Sequence, residues 1–219
     1  MAETNDLKKM VLKGTTTIGI VCTDGVVLTT DTRATMGYFV AHKHVKKIHP
    51  IADHLAITIA GVMADAQNVV NTLQANARLF HLDKGRIMPV QAASRLAANI
   101  LFSARGYPLI IQALIGGVDD SGAHIYSIDP LGSVTEENCV STGSGSPIAY
   151  GVLEDGYRED LDVDAGVNLT VRAIYSAMKR DAASGDSYDV VIVDKNGYRE
   201  LTEAQKKAVL PEGVGLTST

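Results

Sequence analysis

The strongest constraint on this chain is a pair of apolar runs near its start, "TTTIGIVC" (Thr15 to Cys22) and "GVVLTTD" (Gly25 to Asp31), joined by the turn signal "TDG". β-Branched residues at that density favour strands, and so short a polar link makes the two a hairpin. Both runs are apolar at odd and even positions alike, so both sides of the hairpin need cover. A sheet with one wet face does not meet that need.

The rest of the chain supplies the cover. "HVKKI" and "HLAITIAG", separated by the breaker "HPIAD", predict a second strand pair. The period then changes: from Met63 to Leu82 the apolar positions Ala66, Val70, Leu73, Ala77 and Phe80 fall on one helical face. "DKG" closes this helix, and Pro89 opens another with the stripe Ala93, Ala97, Ile100, Leu101 and Ala104. Strands return in "LIIQALIGGVD" and "AHIYSID", linked by "DSG". A third helix is expected behind Ser146 and Pro147, carrying Ile148, Val152 and Leu153, and a fourth from about Asp164, carrying Val167, Val171, Ile174 and Met178. "YDVVIVDKNGYREL" ends the pattern as a hairpin turning at Asn196-Gly197. Helix pairs between hairpins do not produce right-handed βαβ crossovers, so a doubly wound parallel sheet is disfavoured. The expectation is a single α+β domain of two stacked antiparallel sheets with helix pairs outside.

Bulk properties narrow the function classes. At 219 residues the chain can hold one sizeable core, and its net charge of -5 argues against a general nucleic-acid binder. The two cysteines, Cys22 and Cys139, lie apart in apolar runs, which disfavours a disulfide framework or a zinc site and suits a reducing interior. "MAETNDLKKMVLKG" lacks the apolar stretch of a secretory signal, and no later run is long enough for a membrane span. A cytoplasmic location is expected.

Several near-motifs fail on spacing. "DLDVDAG" (Asp160 to Gly166) has the glycine one place late for a calcium loop and Val171 where the closing glutamate belongs, leaving a solvated loop with Asp164 capping the next helix. "STGSGSP" (Ser141 to Pro147) lacks both the phosphate-loop spacing and the hydrolase elbow. It reads as a turn before a helix that can present hydroxyls. His42, His44, His49 and His54 have no HExxH pattern or cysteine partners, so no metal is expected. The sequon "NLT" at Asn168 falls on a helix and is expected to stay silent.

The threonines remain. Thr15, Thr16 and Thr17 are good strand residues, but cleavage after Gly14 would also give Thr15 a free α-amine beside its own hydroxyl. An α-amine titrates at about 7.7–8.0 and is partly neutral near pH 7, so it can take the hydroxyl proton, and both groups sit on one residue.

"KGTTTIGI", "TTDTRATMG", "HKHVKKI", "IAGVMADAQ", "STGSGSPIAYGVLE" and "KRDAASGDSYDVVIVDKNGY" together resemble the β subunits of archaeal 20S proteasomes, in that family's order, from Gly14 to about Leu201. The resemblance implies an N-terminal-nucleophile hydrolase fold, a four-layer αββα sandwich spanning residues 15–219. It also implies that residues 1–14 form a propeptide removed autocatalytically, leaving Thr15 as nucleophile. Matched residue by residue, it implies catalytic roles for Asp31, Lys47, Ser144, Asp181 and Ser184, with the Gly61 amide facing the oxyanion. Ala34, Val45, His49, Ile59 and Met63 would line the first substrate pocket, whose apolar character implies chymotrypsin-like cleavage. Strand alternation independently favours Lys47 over Lys46, because Val45, Lys47 and His49 share a parity, as do Ile59, Gly61 and Met63. The resemblance implies no cofactor. The partners it implies are further copies in seven-membered β rings, α subunits, an ATP-dependent unfoldase and polypeptide substrates, with neither nucleic acid nor membrane.

Two rivals have stated discriminators. A bacterial-type hexameric threonine protease would usually begin at the threonine after Met and lack the "RDAASGD" segment. A non-catalytic ring-building subunit would have lost Gly14, Thr15, Asp31 or Lys47, all of which are present.

Overall fold

A computed structural model describes residues 14–209, so the expected propeptide, apart from Gly14, lies outside the described residues. In chain order the first strands are β1 (Thr16–Cys22), β2 (Gly25–Asp31), β3 (Ala34–Met36), β4 (Phe39–His42), β5 (Ile48–Ala52) and β6 (Leu55–Gly61). Helices α1 (Met63–Lys84) and α2 (Val90–Ser103) follow, then β7 (Ile111–Asp119), β8 (Gly122–Ile128), β9 (Val134–Glu136) and β10 (Cys139–Gly143). The described chain closes with α3 (Ser146–Gly156), α4 (Val163–Arg180), β11 (Tyr188–Asp194), β12 (Gly197–Glu200) and α5 (Glu203–Val209).

The strands build two five-stranded antiparallel sheets, ordered β10-β1-β2-β11-β12 and β5-β6-β7-β8-β9, beside the small β3-β4 hairpin. The double-sided apolar runs explain how they are covered. Along β2, Val27 faces one way with Ile18, Ile20, Val190 and Ile192, and packs against Ala149, Leu153, Val167, Val171 and Ile174 of α3 and α4. The alternate residues Val26 and Leu28 face the other way with Val191 and Val193, against Ala56, Leu114 and Ile125 of the second sheet. That sheet turns its remaining face, Ile57, Ile59, Ile111, Ala113 and Ile115, toward Val70, Leu73, Ala97 and Leu101 of α1 and α2. The mixed α+β architecture expected from periodicity is present. Among the described residues no helix is long and apolar enough to cross a membrane.

Local chemistry sets the boundaries. α1 stops at Gly85, which takes φ 64° and donates its N–H to the His81 carbonyl. Pro89 precedes α2 and Pro147 stands in the first turn of α3. The cap of α4 differs from expectation: Asp162, not Asp164, accepts the Ala165 N–H at 2.8 Å, so the cap lies two residues earlier.

The expected strand "HVKKI" also needs correction, since β5 begins at Ile48 and the former breaker "HPIA" forms its body. The Val45 N–H turns aside to the Thr32 carbonyl, while the Lys47 carbonyl still accepts from Ile59. Those residues are thus extended but tied to two different segments. The hairpin β3-β4 around Gly37, the short β9 and helix α5 carried too few periodic residues to be read from the sequence.

The inter-sheet core gives a direct test. Leu114 is fully buried there, so Leu114→Ala is expected to destabilise the fold by about 2–5 kcal/mol. Leu82→Ala, at an 80% exposed position, is expected to shift the urea midpoint by far less.

Candidate active site

One end of β2 places a carboxylate where water is excluded. Asp31 is fully buried and accepts from Lys47 Nζ at 2.8 Å and from the Thr16 N–H at 2.9 Å through Oδ1. Its Oδ2 accepts from the Arg33 and Gly185 N–H groups, each at 3.1 Å. Lys47, 6% exposed, also donates to the Arg33 carbonyl at 2.6 Å. Burial pushes the Asp31 carboxyl up against the pull of Lys47 and the N–H donors. The same burial pushes the Lys47 ammonium down, opposed first by Asp31. An ammonium held this way is aimed, and it is readier to release a proton than one in water.

A second polar group approaches from the loop before α3 and the loop after α4. Ser144 and Ser184 each donate through Oγ to Asp181 Oδ2 at 2.6 Å. Ser184 Oγ also lies 2.8 Å from Thr16 Oγ1. Glycines permit this convergence: a Cβ on Gly143, at φ 92°, would lie 2.0 Å from the Thr15 carbonyl oxygen.

Thr15, 5% exposed, stands between the two groups. Its N–H donates to Ser144 Oγ at 3.3 Å, and its hydroxyl donates to the carbonyl oxygen of Gly14. The carbonyl of the bond expected to be cut therefore accepts from the hydroxyl expected to cut it. Gly14 itself has no room for a side chain, since a Cβ would lie 2.4 Å from both Ala183 Cβ and Thr35 Oγ1.

Beside Thr15 opens a cavity of about 90 Å³. Ala34, Val45, His49, Ile59 and Met63, separated along the sequence, all line it, together with Gly14, Thr15, Lys47 and Gly61. Burial, then the charge of Lys46, lowers the His49 pKa, which favours its neutral ring. Gly61 ends β6 at φ 147°, with the Ile110 carbonyl oxygen 2.0 Å from where a Cβ would sit. Only glycine fits there.

The residues to which the resemblance gives a catalytic or pocket role are thus brought together in the two polar groups and the cavity beside Thr15. Others were missed. Thr35, Lys46 and Ala66 also line the cavity, and Thr35 Oγ1 is buried without a hydrogen-bond partner. The backbone of Arg33 completes the Asp31–Lys47 pair, and the signal for it was its place in "DTR", two residues after Asp31. Of the histidine cluster, His42 and His44 are exposed and His54 bonds the Met88 carbonyl at 2.8 Å. Among the described residues no group of His, Cys, Asp and Glu is placed to hold a metal.

Comparison with known proteins gives the family. The profile of the family described as "Proteasome subunit" matches residues 11–193. A protein named "Proteasome subunit beta" from Ferroglobus placidus is 53% identical over 91% of this chain and 96% of its own length. Those of the same name from Archaeoglobus profundus and Methanothermobacter thermautotrophicus are 51% identical over 94% of this chain and 52% identical over 90% of it, covering 96% and 94% of the relatives' lengths. With the match running through both polar groups and the cavity, the chain belongs to the proteasome subunit family.

Proposed function

We propose that this chain is the catalytic β subunit of a proteasome core particle, a threonine endopeptidase that cuts unfolded polypeptides into peptides. The observation that carries the reading is Thr15, whose hydroxyl touches the Gly14 carbonyl between the Asp31–Lys47 pair and the Ser144–Asp181–Ser184 chain. Residues 1–14 are a propeptide, and residues 15–219 form one domain with the four-layer αββα arrangement of N-terminal-nucleophile hydrolases.

Activation and catalysis then use the same atoms. Thr15 Oγ attacks the Gly14 carbonyl carbon, the C–N bond breaks as the C–O bond forms, and the hydroxyl proton ends on the departing amine. Water then hydrolyses the resulting ester, which releases residues 1–14 with a Gly14 carboxylate and restores the Thr15 hydroxyl beside its now free α-amine. In each later turnover that amine takes the Oγ proton as Oγ attacks a substrate carbonyl and returns it to the leaving amine, after which water hydrolyses the acyl ester, releasing the product carboxylate and restoring the hydroxyl. Lys47, oriented by Asp31, stabilises the alkoxide and keeps the neighbouring amine neutral. Ser144, Asp181 and Ser184 hold the amine and a water, and the Gly61 N–H faces the tetrahedral oxyanion. β-Branching at Thr15 restricts χ1 and helps aim Oγ.

The cavity wall of Ala34, Val45, Ile59 and Met63 with a neutral His49 supports cleavage after hydrophobic residues. For assembly we propose what the resemblance implies: seven-membered β rings, capped by α rings, enclose the threonines in the cytoplasm, a wall that closed cyclic symmetry builds from one repeated interface, and an ATP-dependent unfoldase feeds the chamber.

Three outcomes test this reading. Intact mass of the wild type purified with its α partner should correspond to a chain starting at Thr15, while Thr15→Ala should retain residues 1–14 and cleave no peptide. A wild type that is active with residues 1–14 still attached sinks the mechanism. Because the neutral α-amine is the base and Lys47 favours its neutral form, kcat should rise with pH through a midpoint below the reference α-amine range of about 7.7–8.0 and level off above it. Peptides ending in Leu, Phe or Tyr should be cut faster than those ending in Arg or Glu, and the reverse order would refute the pocket assignment.

A further inference from the structure

The polar groups flanking Thr15 belong to segments far apart in the chain: Asp31 and Lys47 come from the first quarter, Asp181 and Ser184 from the loop after α4. Arg33 touches both. Its main chain gives the N–H to Asp31 Oδ2 at 3.1 Å and the carbonyl to Lys47 Nζ at 2.6 Å. Its side chain crosses to the other segment, with Nε donating to Asp186 Oδ2 at 2.7 Å and Nη1 to the Ala182 carbonyl at 3.0 Å.

The receiving loop is shaped for that guanidinium. A Cβ on Gly185 would lie 2.4 Å from Arg33 Nη2 and 2.5 Å from Cζ, so the planar group lies directly over the glycine. The Gly185 N–H donates in turn to Asp31 Oδ2. Asp186, whose carboxylate receives the ion pair, is the non-glycine residue held at positive φ, 64°, among the described residues. Aspartate is one of the few non-glycine residues that adopt this left-handed conformation singly, which turns its carboxylate to the guanidinium. Side chains 23% and 16% exposed place the pair at the edge of the site, partly shielded from water.

We propose that the Arg33–Asp186 ion pair is a positioning device that locks the loop carrying Asp181 and Ser184 to the Asp31–Lys47 pair, and so sets the register of the two polar groups around Thr15. This rests on the reading of Thr15 as nucleophile. Neither residue touches the reacting atoms, so the pair acts on kcat rather than on substrate binding. It acts on propeptide removal too, since that step uses the same groups. Lysine cannot replace arginine here, because the contact needs a flat fork that donates to a carboxylate and a carbonyl at once.

The test uses the full chain assembled with its α partner. Arg33→Ala is expected to lower kcat by about 10- to 100-fold, the scale of a misplacement of about 1 Å, with KM changed by less than about threefold. Propeptide removal should slow in parallel, and millimolar guanidinium should restore part of kcat without altering the wild type. Asp186→Asn keeps a residue that tolerates left-handed φ while removing the charge, so it should lower kcat in the same direction and decides the matter if Arg33→Ala does not assemble. Either variant retaining kcat within twofold of wild type overturns the proposal. So does a loss in Arg33→Ala that guanidinium does not restore and that follows the fraction of assembled particle. A wild type without peptidase activity would instead refute the function proposed for Thr15.

Discussion

Asp31 is the point on which the site hangs. A carboxylate removed completely from water is costly unless each oxygen is satisfied, and here the satisfying groups come from four separate segments: β1 through Thr16, the turn after β2 through Arg33, the approach to β5 through Lys47, and the loop after α4 through Gly185. Each segment is thereby held at a fixed distance from one atom pair. Removing either charge would leave its partner buried and alone, a loss of about 3–5 kcal/mol in comparable pairs. The chemistry around Thr15 therefore shares its supports with the fold.

Those supports need a rigid frame behind them. The two sheets supply it by interleaving Val26, Leu28, Val191 and Val193 with Ala56, Leu114 and Ile125, while each sheet's other face is sealed by a helix pair. Close-packed layers fix where β1, β2 and β6 end relative to one another. Thr15, Asp31 and Gly61 all stand at or just beyond those strand ends. Side chains there are placed by the strands but reached by loops, which suits a site that must be both precise and open.

Much of this was legible in the sequence because it is periodic or local. Step-two runs marked the strands, step-three and step-four stripes marked the helices, and Gly85, Pro89, Pro147 and Asn196-Gly197 marked where elements stop or turn. What escaped was whatever lacked period or depended on competition between distant partners. "HVKKI" has the composition of a strand, yet the Val45 N–H is drawn to the Thr32 carbonyl, and only from the Lys47 carbonyl onward does the segment pair with β6. The α4 cap fell to Asp162 instead of Asp164, because both residue types can cap and only the chain's path decides which one does.

The sequence by itself determined that the first hairpin must be covered on both faces, that helices and antiparallel strands would share one α+β unit, and that a threonine behind a glycine could become a nucleophile. Its joint motifs also determined the family. The tertiary structure alone decided that Gly14 and Thr15 meet Ser144, that five separated residues surround one cavity, and that Arg33 spans to Asp186. The physical reason is separation along the chain: periodicity reports which face of an element is apolar, whereas a hydrogen bond between residues 33 and 186 exists only once β2 and β11 have paired with Asp31 opposite Tyr188 and so brought its ends together.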